Sequence, residues 1–285
     1  MQSRNALRIL AEVSGSQWGM VTSAQANARG VNHMSLTRLT GSGDLIRLTH
    51  GVYRVAGAPG AQHEELRAAW LATDSAKLAY ERLSEHPGCA VVSGESAARL
   101  HGIGHLRAMK SEFTTPTRKQ SQRADVRYRT RVLPEQDVTV REGLPTTTRE
   151  RTIADLVEDR HDLSNVSNAL RDAARQSLLN VSRLTELLSP LAERNGHRKS
   201  AGDALLEELM RIAGIDQQSI AKQIASIPAL AGLVAARYVE NSREIATNGS
   251  NAAVAAPGES SATFQIEEQL RAADSVSIAR ALQPR

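Results

Sequence analysis

The chain has 285 residues, 35 Lys plus Arg against 31 Asp plus Glu, and a sequence pI near 9.5. It is about twice the length of an ordinary domain, which excludes a single small core. Hydrophobic residues make up 41% but aromatics only 3%, so the core must be built from Leu, Ile, Val and Ala, a composition that suits helices.

Cys89 is the only cysteine. It excludes an internal disulfide and a multi-cysteine zinc site, as in a reducing cytosol. The first residues lack an apolar signal core, and the longest nearly uncharged apolar stretch, 224–236, is too short to span a bilayer. A cytoplasmic protein without a membrane partner is expected. Residues 1–60 hold six Arg, no Lys, and only Glu12 and Asp44 as acids. Residues 107–131 hold Arg107, Lys110, Arg118, Lys119, Arg123, Arg127, Arg129 and Arg131 against Glu112 and Asp125. Two basic segments on an otherwise balanced chain have the pattern of a polyanion footprint; for the second, a solvated charged surface fits equally.

Residues 6–13 place Ala6, Leu10 and Val13 at helical spacing, giving a short first helix. Thr22 with Gln25 forms a capping box for a second helix running to about Arg29, which Gly30 ends. Asn32 caps a third helix over 33–40, so two short helices are joined by a glycine turn, as in a helix-turn-helix. Leu36 and Leu39 define its inward face. Met34, Thr37 and Arg38 then point outward, with His33 and Ser35 on the flanks. Beyond Gly41-Ser42-Gly43, two β-prone runs at 45–49 and 52–55 flank His50-Gly51, a hairpin that serves as a wing. Arg47, His50 and Arg54 on that hairpin are suited to phosphate contact, while His33, Ser35, Thr37 and Arg38 are suited to base edges.

Residues 64–84 read as one linking helix carrying Leu66, Trp70, Leu71, Leu78 and Leu83. After Pro87-Gly88, Ala90-Val91-Val92 leads into a helix capped by Ser93 and ended by Gly102. Strand-like pieces follow at 111–115, 126–133 and 138–140, and Thr148 caps another helix with Asp155, Glu158 and Asp159 on its solvent face and end.

Three stretches carry a family signature: Gly51-Val52-Tyr53, Val92-Ser93-Gly94-Glu95-Ser96-Ala97-Ala98-Arg99-Leu100-His101-Gly102, and Gly143-Leu144-Pro145-Thr146-Thr147 with Arg151-Thr152-Ile153-Ala154-Asp155-Leu156. With the winged helix they resemble the AbiEi family, antitoxins and transcriptional regulators of type IV toxin-antitoxin systems. The resemblance covers about 18–156, and Gly94 stands where the family motif commonly has His. It implies a winged helix that represses the chain's own operon and an α/β region that neutralises a nucleotidyltransferase-like toxin.

Catalytic patterns fit poorly. Gly94-Glu95-Ser96 lacks the second glycine of a nucleophile elbow, and His101 lies off the face of Ser96. His101 and His105 are separated by two glycines that break a helical metal pair, no phosphate-loop motif occurs, and neither nucleotidyltransferase nor nuclease acid clusters are present. No enzyme activity, cofactor or metal is expected.

Helical periodicity continues at 163–177, 181–192 and 201–213. A helix interrupted at Pro228 is expected over 215–239, its apolar 229–236 face serving as core or partner surface. A polar linker over 241–263 and a terminal amphipathic helix over 264–282 complete the chain. The expected fold class is α+β. A winged helix-turn-helix occupies 1–60, a linking helix 61–86 and a mixed α/β antitoxin-type domain 87–160. A helical region at 161–240 and a flexible tail at 241–285 follow. The expected partners are double-stranded operator DNA and a nucleotidyltransferase-like toxin, with oligomeric state open. Two other readings fit these residues: a stand-alone regulator, and an interaction module whose winged helix does not touch DNA.

Overall fold

The computed structural model describes residues 3–85, 88–121 and 123–219. The expectations for the 241–263 linker, the 264–282 helix and all but the start of the 215–239 segment lie outside the described residues. Both sheets and the helices up to Ala213 belong to one compact unit ending there.

Helix α1 (Ser3–Ser14) buries Ala6, Leu10 and Val13. Strand β1 (Met20–Thr22) follows, and α2 (Ser23–Ala28) opens on the capping box: Thr22 Oγ1 accepts from Gln25 N at 3.1 Å, and Gln25 Oε1 accepts from Thr22 N at 3.0 Å. Gly30 takes φ +79° in the turn, and Asn32 Oδ1 accepts from Ser35 N at 3.0 Å to start α3 (His33–Gly41). Strands β2 (Leu45–Thr49) and β3 (Val52–Val55) make the hairpin, with a bulge between Arg47 and Thr49. The sheet order is β1-β3-β2, all antiparallel, so the hairpin expected from sequence is a three-stranded wing sheet with β3 in its centre. A three-residue strand is too short for alternation to reveal.

The sheet has two buried sides. Leu45 and Tyr53 close the core formed by Ala6, Leu10, Leu36 and Leu39 of the three helices. Met20, Val52 and Leu48 face the other way, onto α4 (Glu64–Thr73) and the second sheet.

The linking helix expected over 64–84 is broken: α4 ends at Thr73 and α5 spans Ala79–Ser84. The chain turns back because buried groups of the winged helix hold the intervening backbone. Thr22 Oγ1 donates to Ser75 O, Gln25 Nε2 donates to Lys77 O at 2.8 Å, and Gln17 Oε1 accepts from Ala79 N at 3.3 Å. Arg82 then reaches back, its guanidinium 3.5 Å from the Trp70 ring centroid and its Nη1 donating to Trp70 O at 2.7 Å.

The second sheet comprises β4 (Val91–Val92), β5 (Ser111–Thr115), β6 (Val126–Thr130), β7 (Val138–Arg141) and β8 (Leu144–Thr147), in the order β6-β5-β4-β8-β7. The β4–β8 and β5–β6 pairs are parallel, and the β4–β5 and β7–β8 pairs antiparallel. Strand β8 falls where the sequence offered only the approach to a helix. Helix α6 (Gly94–His101) follows β4. Ser93 does not cap it: its Oγ accepts from Thr114 Oγ1 at 2.9 Å, and Glu112 Oε2 takes the free Glu95 N–H at 2.8 Å instead. Gly94, at φ +57°, is required here, because a Cβ would fall 2.0 Å from Glu112 Oε2. Thr148 does cap α7 (Arg149–Glu158), and α8 (Leu163–Gln176), α9 (Val181–Leu188) and α10 (Gly202–Ala213) complete the helical side.

Candidate nucleic-acid interface

The exposed side of α3 is made by His33, Met34, Thr37 and Arg38. Leu36 and Leu39 are buried beneath them, as the 3.6-residue period requires. Ser35 departs from expectation: it is 7% exposed, on the buried side of the first turn, and withdraws from the exposed side of the helix. Thr37 Oγ1 donates to His33 O at 3.0 Å and lies 3.4 Å from His33 Nδ1. This exposed side of α3 is thus partly ordered by its own hydrogen bonds.

On the wing, alternation along β2 places Leu45 and Arg47 on the side that faces α3, and Arg47 pairs across the strand with Tyr53 of the helical core. Beyond the reach of the helices Arg47 becomes exposed. Its Nη2 lies 3.2 Å from His50 Nδ1 at the hairpin tip, which brings these two expected phosphate contacts together.

Arg54 is a correction. It pairs across the strand with Ile46, so it points to the opposite side of the sheet from Arg47. There it meets Glu64 of α4 at 2.6 Å and donates to Ala58 O, with a side chain only 13% exposed. Its charge is spent on mounting the sheet against α4. The sequence lacked any signal for this because Glu64 lies beyond the domain boundary it suggested.

The mounting is completed around Trp18. Its ring lies 6.2 Å from that of Trp70 at an interplanar angle of 77°, and the Arg67 guanidinium sits 5.2 Å from its centroid. Arg67 Nη2 also donates to Glu142 O at 3.0 Å, and a Cβ at Gly143 would stand 3.0 Å from the Trp18 ring. The β7–β8 turn therefore packs directly on the winged helix.

The second basic segment resolves differently from the first. Arg127 reaches Glu112 at 2.9 Å and Asp159 at 2.8 Å; Arg129 reaches Asp155 at 2.8 Å and Glu158 at 3.1 Å; Arg131 reaches Glu158 at 2.7 Å. Asp155, expected on the solvent face of its helix, is buried beneath β6, and Arg151 joins Arg129 and Arg131 on its Oδ1. Two influences oppose one another there. Burial pushes the Asp155 carboxyl up, to about 7 even against the downward pull of Arg129 and Arg131, and its Oδ2 has no hydrogen-bond partner. The three guanidinium contacts on one oxygen favour the anion. Arg123 is paired with Asp125, and Lys119 donates to Thr73 O at 2.7 Å. Four of the eight cations, Arg123, Arg127, Arg129 and Arg131, are thus paired with acids of the fold, while Arg107, Lys110 and Arg118 are exposed.

His101 is buried, with Nε2 2.7 Å from Thr147 O, which assigns the proton to Nε2. Burial lowers its pKa to about 4. It is a structural group that ties α6 to β8. Among the described residues no group of three His, Cys, Asp or Glu is placed to hold a metal, and no helix is long and apolar enough to cross a membrane.

A family model described as a transcriptional regulator, AbiEi antitoxin, matches residues 8–56, and one described as the AbiEi antitoxin C-terminal domain matches residues 88–208. No curated protein matches the chain. Among solved structures, the crystal structure of RV2827C protein from Mycobacterium tuberculosis is similar over 70% of this chain and 80% of that one, at 18% identity and a TM-score of 0.44.

Proposed function

This chain belongs to the AbiEi family of antitoxins and transcriptional regulators, and from that premise we propose that it binds operator DNA through its winged helix, represses its own operon and neutralises a nucleotidyltransferase-like toxin. The observation that carries the DNA-binding part is the disposition of charge. Arg47 and His50 sit at the exposed wing tip on the side of the sheet that faces α3, whose exposed side carries His33, Thr37 and Arg38. In the second basic segment, by contrast, Arg123, Arg127, Arg129 and Arg131 are tied to acids of the fold. Helix α3 enters the major groove, where Arg38 with His33 and Thr37 meets base edges, while Arg47 and His50 grip the adjacent backbone. Ser35 and Arg54 have no place in this contact set.

The test is a titration of labelled DNA from immediately upstream of the reading frame, at two salt concentrations, with the full chain and two variants. Arg38→Ala is expected to weaken specific binding by about 1–3 kcal/mol and to relax sequence preference. Arg47→Ala is expected to weaken all duplexes alike and to flatten the salt dependence. Absence of salt-sensitive affinity for any duplex in the unmodified chain removes the DNA-binding reading. The toxin partner is tested separately: a nucleotidyltransferase-like reading frame is expected beside this one, and its absence, or failure of the chain to restore growth to cells expressing it, removes the toxin reading.

A further inference from the structure

Helix α3 presents one large apolar side chain where polar ones dominate. Met34, at the second position of the helix, is 81% exposed. Its neighbour one turn on is Thr37, whose hydroxyl is committed to His33 O at 3.0 Å, so the Thr37 donor is already used within the helix. Residues three apart share a helix face, which sets the Met34 thioether chain beside Thr37 and its γ-methyl. Asn32 Oδ1 accepts from Ser35 N at 3.0 Å and fixes the first turn that carries Met34. The result is an exposed apolar spot on a capped first turn, with His33 and Arg38 beside it on the exposed side of α3.

Base edges in the major groove offer one apolar group, the C5-methyl of thymine. The N-terminal residues of a recognition helix are those that reach base edges. We infer that Met34, standing beside the methyl group of Thr37, is the side chain that reads a thymine methyl in the bound sequence. This assignment rests on the DNA-binding reading and adds to it a base identity that the charged residues do not specify. A flexible, polarisable thioether fits such a contact because it fills the space around a methyl without demanding a fixed donor geometry.

The test uses the full chain and a duplex selected by it from a random library. Each thymine of the selected sequence is replaced in turn by uracil, which removes only the C5-methyl. One or two replacements are expected to weaken binding about fourfold, the loss of one buried methyl group. That penalty is expected to vanish in Met34→Ala, which binds thymine and uracil duplexes equally, and to persist in Met34→Leu. Selection repeated with Met34→Ala is expected to lose the thymine preference at the same position while keeping its salt dependence. The inference is overturned if no uracil replacement weakens binding, if the penalty survives in Met34→Ala, or if Met34→Ala instead changes the oligomeric mass of the free chain. Absence of salt-sensitive binding to any duplex by the unmodified chain removes the inference together with the reading beneath it; retained binding that ignores the methyl removes the inference alone.

Discussion

A buried, neutral histidine makes stability sensitive to acid. His101 donates through Nε2 to Thr147 O, and its Nδ1 is buried without a partner, so protonation would create a second donor with nothing to receive it. Its folded pKa is lowered from 6.5 to about 4, chiefly by desolvation. Below 6.5 the unfolded chain therefore binds the proton first. The stability this group confers is full above 6.5 and is lost as pH falls toward 4, up to about 3 kcal/mol. Urea titrations across that interval are expected to show the slope, and His101→Gln, which retains a donor for Thr147 but cannot titrate, is expected to flatten it. An unchanged slope in the variant would assign the acid sensitivity to other groups. At the same scale Arg54 shows how a residue's type misleads when its direction is unknown: an arginine on a wing looks like a phosphate ligand until Ile46 is found opposite it and Glu64 behind it.

Elements were legible from the sequence where their signals are local. The Thr22–Gln25 capping box, the Asn32 cap and the glycine turn between them lie within a few residues of the helices they define, and all three appear as read. What escaped depends on distant partners. Strand β1 is defined by pairing with β3 rather than by its own three residues, and the break between α4 and α5 is held by Gln17, Thr22 and Gln25 from some fifty to sixty positions earlier. The acids of α7 looked exposed because β6, which covers them, carries its arginines on a separate strand. Another long-range tie fixes α9 to the turn before β7: Arg183 Nε and Nη2 each donate to the fully buried Asp137 carboxylate at 2.8 Å. Asp137→Ala removes the acceptor and leaves the guanidinium, 20% exposed, without its main counter-charge. A loss of about 2 kcal/mol is expected, below the range for a fully buried pair because the arginine keeps some solvent. Chemical denaturation checks it, and a change within about 0.5 kcal/mol would mean that the pair contributes little net stability.

At the scale of the whole molecule, the winged helix shares its core with α4 and the second sheet. Met20 and Val52 belong to the same buried cluster as Trp70, Phe113 and Leu144, with Trp18 and Leu48 packed on its rim. A fragment ending at Gly60 would expose that side of the sheet and free Arg54 from Glu64. A fragment ending at Glu85 restores α4 and α5, and is expected to be more stable than the shorter one by at least about 2 kcal/mol in urea titration. Equal midpoints would show that the sheet's second side contributes nothing to the unit's stability. The central place of β3 has a mechanical consequence. With β1 on one flank, β2 on the other and the Arg54–Glu64 link at its back, the hairpin is braced and cannot swing as a loose arm. The angle between the wing and the helix beside it is set before any partner arrives. Under the proposed DNA-binding function, fitting a duplex of imperfect groove width would fall to the nucleic acid, which would bend or twist to meet a stiff protein gauge, and sequences that deform at low energetic cost would gain an advantage at positions no side chain touches.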